Sequence, residues 1–391
     1  MKNNKGITLV ALVVTIVVLL ILAGVSINLV LGNNGIIAKA KEAETKSAEA
    51  SQNDLKGMNG LVSEMEGALA GNGSTGSGSG NGNTGSGNNF VTKNTEVTYP
   101  DGKVWIPEGF KVADDSAKTV QGGVVIEDKD GNQFVWVPVA TIGYGTRWYT
   151  GIEPSSAYLE NLSEDEKISV ETYKGFYIGR YEAGDKENTE AKTLRSSNDV
   201  TKTVTIKKGQ APYNYVTPEE AISLAEGFAK QQKYSENIKT KLVSSYAWDT
   251  TISFIQKTVN DYASNSPQGN YMNTRFEYID ITGESKSTWG IGILIPTGLT
   301  TSVCNIYDMG GNVEEWTTEK FLPTGYKVEE VPVEGTEDGN TTTSPKKYNA
   351  CRGGNFGNTN PREPGGCTAG DRRWDKDEAK ENIGFRVSLF L

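Results

Sequence analysis

The hydrophobic and polar positions of this 391-residue chain divide it into segments of very different character. Residues 7–31 carry no charge and are mostly apolar, and a run of this length can cross a bilayer as one helix. Lys2 and Lys5 precede the run, which orients its start toward the cytoplasm. No A-x-A-like cleavage site follows it, so an uncleaved signal anchor is one interpretation. Residues 36–69 are polar and rich in Ala, Lys and Glu, and we predict a membrane helix and stalk over residues 7–70.

Residues 71–89 contain only Gly, Ser, Thr and Asn. Such a tract cannot bury apolar surface, so it predicts a flexible linker between an anchoring part and a displayed domain. The displayed domain then covers residues 90–391.

Short apolar runs separated by turn residues predict strands in the first half of this domain. These runs are residues 97–99, 104–106, 124–127, 134–139 and 176–181, and a short helix is predicted over residues 163–168.

Two helices carry clear signals. Thr217 is a predicted N-cap, with Pro218 at the first helical position and Glu220 three residues after the cap. A second helix, over residues 246–259, places Trp248 and Ile252 on one apolar face. Residues 323–347 are acidic and rich in Thr, Gly and Pro, which predicts a surface loop or hairpin insertion.

The amino-acid composition excludes several classes of function for this chain. The net charge of −10 argues against a nucleic-acid-binding protein, which would present a basic face. The chain contains no histidine, which excludes histidine-based acid–base catalysis and imidazole metal sites. Cys304, Cys351 and Cys367 are widely spaced, and either one disulfide or three buried thiols fit them.

Five segments occur in an order typical of one family. They read FVWVP (134–138), GFYIGRYE (175–182), NIYDMGGNVEEWT (305–317), RGG (352–354) and GFR (384–386). Together they resemble the formylglycine-generating enzyme (sulfatase-modifying factor) family. The resemblance implies an α+β domain of C-type-lectin-like fold in which two helices flank a small twisted sheet.

The same resemblance implies a structural Ca²⁺ site in the segment 305–317. Its ligands would be the side chains of Asp308 and Glu315 and the carbonyls of Gly311 and Val313. Hard cations prefer such oxygen ligands.

The catalytic residues of the resembled enzyme are missing. That enzyme oxidises a cysteine of sulfatases with a pair of copper-binding cysteines shortly after the RGG segment. Gly357 and Arg362 stand at the corresponding positions here, and Cys367 lies too far along. Thiolate and copper chemistry both need the pair, so we predict a protein without this activity.

The segment 355–382 is the candidate binding face. We predict that it is a long irregular segment between two core strands, where binding loops are commonly placed. Its arrangement is similar to the variable proteins of diversity-generating retroelements, which bind varied partners through a segment before the last strand. The candidate ligand-binding residues are aromatic, amide and charged side chains that suit a protein or glycan: Asn355, Phe356, Asn358, Asn360, Arg362, Asp371, Arg372, Arg373 and Trp374.

The amino terminus is similar to a type IV prepilin. Residues 1–6 resemble the leader, with cleavage by a prepilin peptidase expected between Gly6 and Ile7. Major pilins of that family have Glu at the fifth mature position, whereas this chain has Ala11. This difference disfavours bulk polymerisation and favours a minor pilin, a tip subunit or a simple anchor.

Three functions follow from these patterns. The first is a non-catalytic, adhesin-like protein displayed on a bacterial envelope or pilus, which binds a protein or glycan of another cell or phage. The alternatives are an active formylglycine-type oxidase and a passive structural pilin subunit that packs with other pilins.

Overall fold

A computed structural model describes residues 89–139, 158–186, 203–279, 283–288, 292–322, 330–332, 343–360 and 367–391. The predicted leader, membrane helix and stalk, the linker up to residue 88, and Arg362 lie outside these residues. Among the described residues, no helix has the length and apolarity needed to cross a membrane.

The described chain is rich in strands and contains three helices. The helices are α1 (Glu164–Tyr173), α2 (Pro218–Gln232) and α3 (Ser245–Gln256). The strands are β1 (Thr95–Tyr99), β2 (Gly102–Ile106), β3 (Lys111–Val112), β4 (Val125–Glu127), β5 (Gln133–Pro138), β6 (Tyr158–Leu159), β7 (Gly175–Gly179), β8 (Gly184–Asp185), β9 (Val204–Thr205), β10 (Lys239–Leu242), β11 (Glu277–Ile279), β12 (Ser285–Ser287), β13 (Glu314–Phe321), β14 (Glu330–Pro332), β15 (Thr343–Pro345), β16 (Tyr348–Arg352), β17 (Arg372–Trp374), β18 (Ile383–Phe385) and β19 (Val387–Phe390).

Two larger sheets organise the domain. The first has six strands in the order β10-β19-β7-β5-β4-β3, all antiparallel to their neighbours. The second has the order β17-β16-β13-β18, with β6 also paired to β13. Within the second sheet, β13 and β18 run parallel while β13 and β16 run antiparallel. The strand β13 therefore has a hydrogen-bonded neighbouring strand along each of its two edges.

The six-stranded sheet separates two hydrophobic clusters. Because side chains alternate along a strand, Phe134 and Trp136 of β5 face one cluster and Val135 and Val137 face the other. The first cluster also contains Phe228 of α2, and the second contains apolar residues of α3. The prediction that two helices flank a small sheet is confirmed, and the narrower C-type-lectin designation stays a prediction.

Capping interactions fix where the helices begin. The Thr217 hydroxyl accepts from the Glu220 amide, and the Glu220 carboxylate accepts from the Thr217 amide at 2.8 Å. Ser163 and Glu166 make the same reciprocal pair at α1, which extends to Tyr173 and is longer than the sequence predicts. The helix α3 ends at Gln256, earlier than predicted, because the chain then enters a series of turns.

The acidic insertion forms a hairpin in the described part of residues 323–347. There, β14 and β15 pair antiparallel. This agrees with the hairpin interpretation of its composition.

Candidate functional site

Three of the family-like sequence segments meet in one buried polar cluster. We name it the motif cluster and define it as Glu182, Asp308, Asn312, Glu315 and Arg386. The Arg386 guanidinium donates to both carboxylate oxygens of Glu315, at 2.6 Å from Nη2 and 3.0 Å from Nε. The Asn312 amide and the Val313 backbone N–H donate to Glu182 at 2.7 and 3.1 Å. Residues far apart in the chain thus lie close enough to interact electrostatically inside the domain.

The turn before β13 makes this convergence possible. Gly311 has a φ of +74°, and a Cβ there would lie 2.5 Å from the backbone oxygen of Asn270. Only glycine fits this close approach without strain. The turn thereby brings Asn312 and Glu315 against Glu182.

Three carboxyl groups lie near one guanidinium in the motif cluster, and burial is the largest cause of the raised pKa of each. Burial raises the pKa of Glu315 to about 7, against the opposing effect of Arg386. Burial, together with the charge of Asp308, raises the pKa of Glu182 well above its ordinary value. Burial also raises the pKa of Asp308. Burial therefore favours the protonated form of each of these three carboxyl groups.

The two predicted side-chain ligands of Ca²⁺, Asp308 and Glu315, lie in this cluster, and their carboxylate oxygens already accept from protein donors. Asp308 accepts from the Gly298 amide at 2.7 Å and from the Thr300 hydroxyl at 2.5 Å. Both oxygens of Glu315 are bound to Arg386. The part of the chain that the structure describes holds no group of three or more Cys, Asp or Glu side chains suited to a metal. These contacts as they stand do not fit Ca²⁺, and calcium at Asp308, Gly311, Val313 and Glu315 stays a prediction.

A second buried network lies beneath the candidate binding segment. We name it the loop cluster and define it as Asp249, Glu319, Arg352 and Arg372. Asp249 accepts from Arg352 at 2.5 Å and from Arg372 at 2.9 Å, and Glu319 accepts from Arg372 at 2.6 Å. The cluster joins α3, β13, β16 and β17, so charge-assisted hydrogen bonds hold the end of the segment on the scaffold.

The binding segment is more regular than the sequence indicates. Its residues Arg372–Trp374 form β17, which pairs antiparallel with β16. The expectation of an irregular stretch over 355–382 is wrong at this point, because main-chain pairing with β16 orders it.

Three of the predicted ligand-binding residues are buried, a fourth, Arg372, has a side chain that is 7% exposed, and all four make internal contacts. Asn355 accepts from the Gly357 amide at 2.9 Å, and Asn360 accepts from the Ser266 amide at 3.0 Å. The Asp371 carbonyl accepts from Arg352 at 2.8 Å, and Arg372 belongs to the loop cluster. These contacts help to hold the segment in shape, and a ligand-binding role for Asn355, Asn360, Asp371 and Arg372 stays a prediction.

Four other predicted residues are only half-buried: Phe356, Asn358, Arg373 and Trp374. Trp374 stacks on Phe321 with ring centroids 5.1 Å apart and an interplanar angle of 15°. It also contacts Tyr348 at 5.2 Å. The rings fix the orientation of Trp374 at the end of β17, and these four residues are the structure's best candidates for direct contact with a ligand.

All three cysteines of the chain are buried, and none forms a disulfide with another. Of the two interpretations of the sequence, the structure therefore agrees with three buried thiols. Burial raises the pKa of Cys304, Cys351 and Cys367 above the ordinary thiol value. The Cys351 thiol lies 3.5 Å from a carboxylate oxygen of Glu314, which disfavours the thiolate further. These surroundings are the opposite of those that activate a cysteine nucleophile.

Sequence analysis did not single out Asp249 and Glu319. Asp249 is a charged residue on the buried side of an otherwise apolar helix, α3. Glu319 is a fully buried charged residue in the second half of β13. A charged residue at a predicted core position was the signal that could have indicated this buried ion-pair cluster, since buried charges are rare unless they are paired.

A profile of the sulfatase-modifying factor enzyme 1-like domain matches residues 88–389. A comparison with curated protein sequences finds no match. Among solved structures, the crystal structure of CarF matches with 15% identity and a TM-score of 0.34, covering 56% of this chain and 87% of that one. The profile spans most of the chain, and it includes the motif cluster, the loop cluster and the candidate binding segment. The chain therefore belongs to the family of the sulfatase-modifying factor enzyme 1-like domain.

Proposed function

We propose that this protein is a non-catalytic ligand-binding protein, displayed on a bacterial cell surface or pilus, in which the segment 355–382 forms the binding face. The observation that carries the non-catalytic part is the state of the thiols. Every cysteine of the chain is buried with a raised pKa, and there is no histidine to activate a thiol. Thiolate-based oxidation needs an accessible, ionised thiol.

The binding part rests on how the segment is held. Asp249 and Glu319 of the loop cluster hold the Arg372 guanidinium, and Trp374 is held by the stacked ring of Phe321 and the tilted ring of Tyr348. Preorganised side chains lose little conformational entropy when a ligand binds. Arg373 and Trp374 belong to the residue types that most often dominate binding energy at interfaces.

Display at the surface rests on the segments that precede the domain. In the proposal, residues 7–31 anchor the chain, a prepilin peptidase cleaves after Gly6, and residues 71–89 act as the flexible linker. Mass spectrometry of the mature amino terminus tests this route. Ile7 as the first residue supports the pilin-like route, whereas a retained Met1 supports a simple anchor.

An oxidation assay tests the absence of catalysis. The full-length chain is incubated with copper, dioxygen and a cysteine-containing sulfatase peptide, and the peptide is analysed by mass spectrometry. We expect no formylglycine product above a protein-free control. Formation of formylglycine, lost on substitution of Cys351 or Cys367 by Ser, would overturn the non-catalytic assignment.

Glycan arrays and adhesion to whole cells test the binding face. Phe356→Ala with Arg373→Ala is expected to weaken binding by the full-length chain by about thirtyfold or more, since the loss of even one hot-spot side chain costs on the order of 2 kcal/mol. Lys208→Ala, an exposed change outside the segment, is the matched control. Equal retention of the double variant and the control would remove the segment 355–382 from the proposal.

A genomic observation addresses diversification of the segment. A reverse-transcriptase gene beside this gene, with a near-identical template repeat differing at adenines, would identify a diversified binder. Absence of both would assign a fixed specificity.

A further inference from the structure

A lysine and an asparagine from neighbouring strands meet where the acidic hairpin insertion leaves the domain. Lys320 of β13 and Asn349 of β16 are direct partners in the antiparallel register of these strands. The Lys320 Nζ atom lies 2.5 Å from the Oδ1 atom of Asn349. Because a C=O bond is about 1.2 Å long, Nζ lies no more than about 3.7 Å from Cγ of the same amide. Reacting atoms in well-oriented bound states are about 3–3.5 Å apart, so the amine and the amide carbon are close to reacting distance.

The side-chain amide of Asn349 is held in one orientation. Asn349 is fully buried, and its Nδ2 atom donates to the Thr317 carbonyl at 2.8 Å. The Oδ1 atom therefore faces Lys320. The backbones of both residues are fixed by the pairing of β13 with β16. Little conformational freedom is left to lose when the two side chains join, which is the condition under which an intramolecular reaction is fast.

A carboxyl group lies beside this pair. The Oδ1 atom of Asp377 accepts from the backbone N–H of Asn349 at 2.7 Å. Burial raises the pKa of Asp377, against the opposing effects of the Asn349 N–H and of the charge on Lys320. The raised pKa makes it easier for this carboxyl group to hold a proton. Asp377 is therefore placed to take a proton from the lysine and to release it again.

We propose that Lys320 and Asn349 form an intramolecular isopeptide bond, with Asp377 carrying the proton. The Lys320 ammonium gives one proton to the Asp377 carboxylate, and the free amine attacks Cγ of Asn349. The Cγ–Nζ bond forms and the Cγ–Nδ2 bond breaks. A second proton passes from Nζ to the departing Nδ2, which leaves as ammonia and takes up the proton held by Asp377. The reaction needs no oxidant, reductant or other reactant.

The bond joins β13 covalently to β16 and closes the hairpin insertion between them. Because β17 pairs with β16, the bond also strengthens the sheet that carries Arg373 and Trp374. A covalent link restricts the unfolded chain, and the three cysteines form no disulfide that could do the same. The bond does not depend on ligand binding, so it can be tested separately from the proposed function.

Tryptic digestion of the unfolded full-length chain, followed by mass spectrometry, tests the bond. Trypsin does not cleave after an acylated lysine, so the bond protects the cleavage site at Lys320. We expect a branched peptide that joins residues 287–327 to residues 348–352 and lacks one ammonia, about 17 Da. Release of residues 321–327 and 348–352 as separate peptides, with no branched species, would leave only a hydrogen bond and would overturn the proposal.

Two lysine variants locate the bond. Lys320→Met removes the attacking amine and is expected to abolish the branched peptide. Lys376→Met, an exposed change next to Asp377, is the matched control and is expected to keep it. A cross-link that persists in Lys320→Met would come from another residue and would overturn the assignment. Failure of the chain to bind any ligand would leave these results unaffected.

The role of Asp377 is tested by the rate of bond formation after cell-free synthesis. Asp377→Asn keeps an oxygen that can accept from the Asn349 N–H but cannot carry a proton. We expect the bond to form at least about tenfold more slowly in this variant, with a changed pH profile, and Asp377→Glu to restore much of the rate. A purely structural role would lower the rate equally at every pH. Equal rates in the wild type and Asp377→Asn would overturn the proton transfer by Asp377.

Discussion

The motif cluster and the loop cluster are both buried and ionic, yet they differ in charge balance. The motif cluster sets three carboxyl groups against Arg386, and burial raises the pKa of each carboxyl. The loop cluster sets Asp249 and Glu319 against two guanidinium groups, with direct contacts between them. The first cluster depends on one cation, whereas the second distributes its charge over several pairs. The domain thus uses one cluster to join its sheets and the other to hold its candidate binding segment.

Arg386→Met gives the largest expected effect. It leaves the Glu315 carboxylate without its partner and also removes donors to the Gly179 and Tyr307 carbonyls. Removing one partner of a buried ion pair costs about 3–5 kcal/mol, and we expect a loss of that size in the free energy of unfolding at pH 7. Urea denaturation measures it.

Arg275→Met is the control, because Arg275 and Glu277 form an exposed pair. We expect almost no change there, as exposed pairs contribute little. A loss for Arg386→Met no larger than that of the control would show that another cation neutralises the motif cluster.

Asp249→Asn tests the loop cluster, with an expected loss of about 3 kcal/mol. The amide keeps the shape of the side chain but leaves Arg352 and Arg372 without their shared carboxylate. Because the cluster anchors β17, amide hydrogen exchange of Arg372–Trp374 should accelerate more than that of β5. Equal acceleration in both strands would contradict a local anchoring role.

Glu160 gives a smaller, pH-dependent effect at the edge of the loop cluster. Burial raises its pKa from the ordinary 4.5 to about 7. The folded state therefore holds the proton more tightly than the unfolded state. This contribution to stability is full below pH 4.5 and is lost as the pH rises through about 7.

Glu160→Gln should remove part of that decline, on the order of 2 kcal/mol between pH 5 and 8. Glutamine can still accept from the Ser245 amide and the Thr318 hydroxyl, the donors that Glu160 has at 3.1 and 2.6 Å. Unfolding free energies at the two pH values measure the difference, with the exposed Glu226→Gln as control. An unchanged slope in Glu160→Gln would show that Glu160 titrates alike in the folded and unfolded chains.

Calcium binding has the smallest expected effect on stability, and it concerns the motif cluster but not the loop cluster. If Ca²⁺ binds at Asp308 and Glu315, a concentration near tenfold its dissociation constant stabilises the fold by about 1 kcal/mol. The melting temperature should then rise with calcium, fall with EDTA, and lose this response in Asp308→Asn. An unchanged melting temperature would leave Arg386 as the cation of the motif cluster.

The sequence predicted those parts of the domain that depend on local pattern. The cap at Thr217 predicted the start of α2, and the apolar run at 134–139 predicted β5, because both signals act within a few residues. The five ordered segments predicted the family, which the profile match confirms. The binding segment was less predictable, because Asn355, Asn360 and Asp371 are polar residue types common at surfaces but are buried.

The sequence alone determined the absence of histidine, the spacing of the three cysteines, the net charge and the periodicities of the helices and strands. Tertiary structure alone decided which charges share one buried space, since Glu182, Glu315 and Arg386 are distant in the chain and meet only when the sheets form. It also decided that β17 pairs with β16. Long-range contacts depend on how whole elements pack, and no local pattern of residues encodes that arrangement by itself.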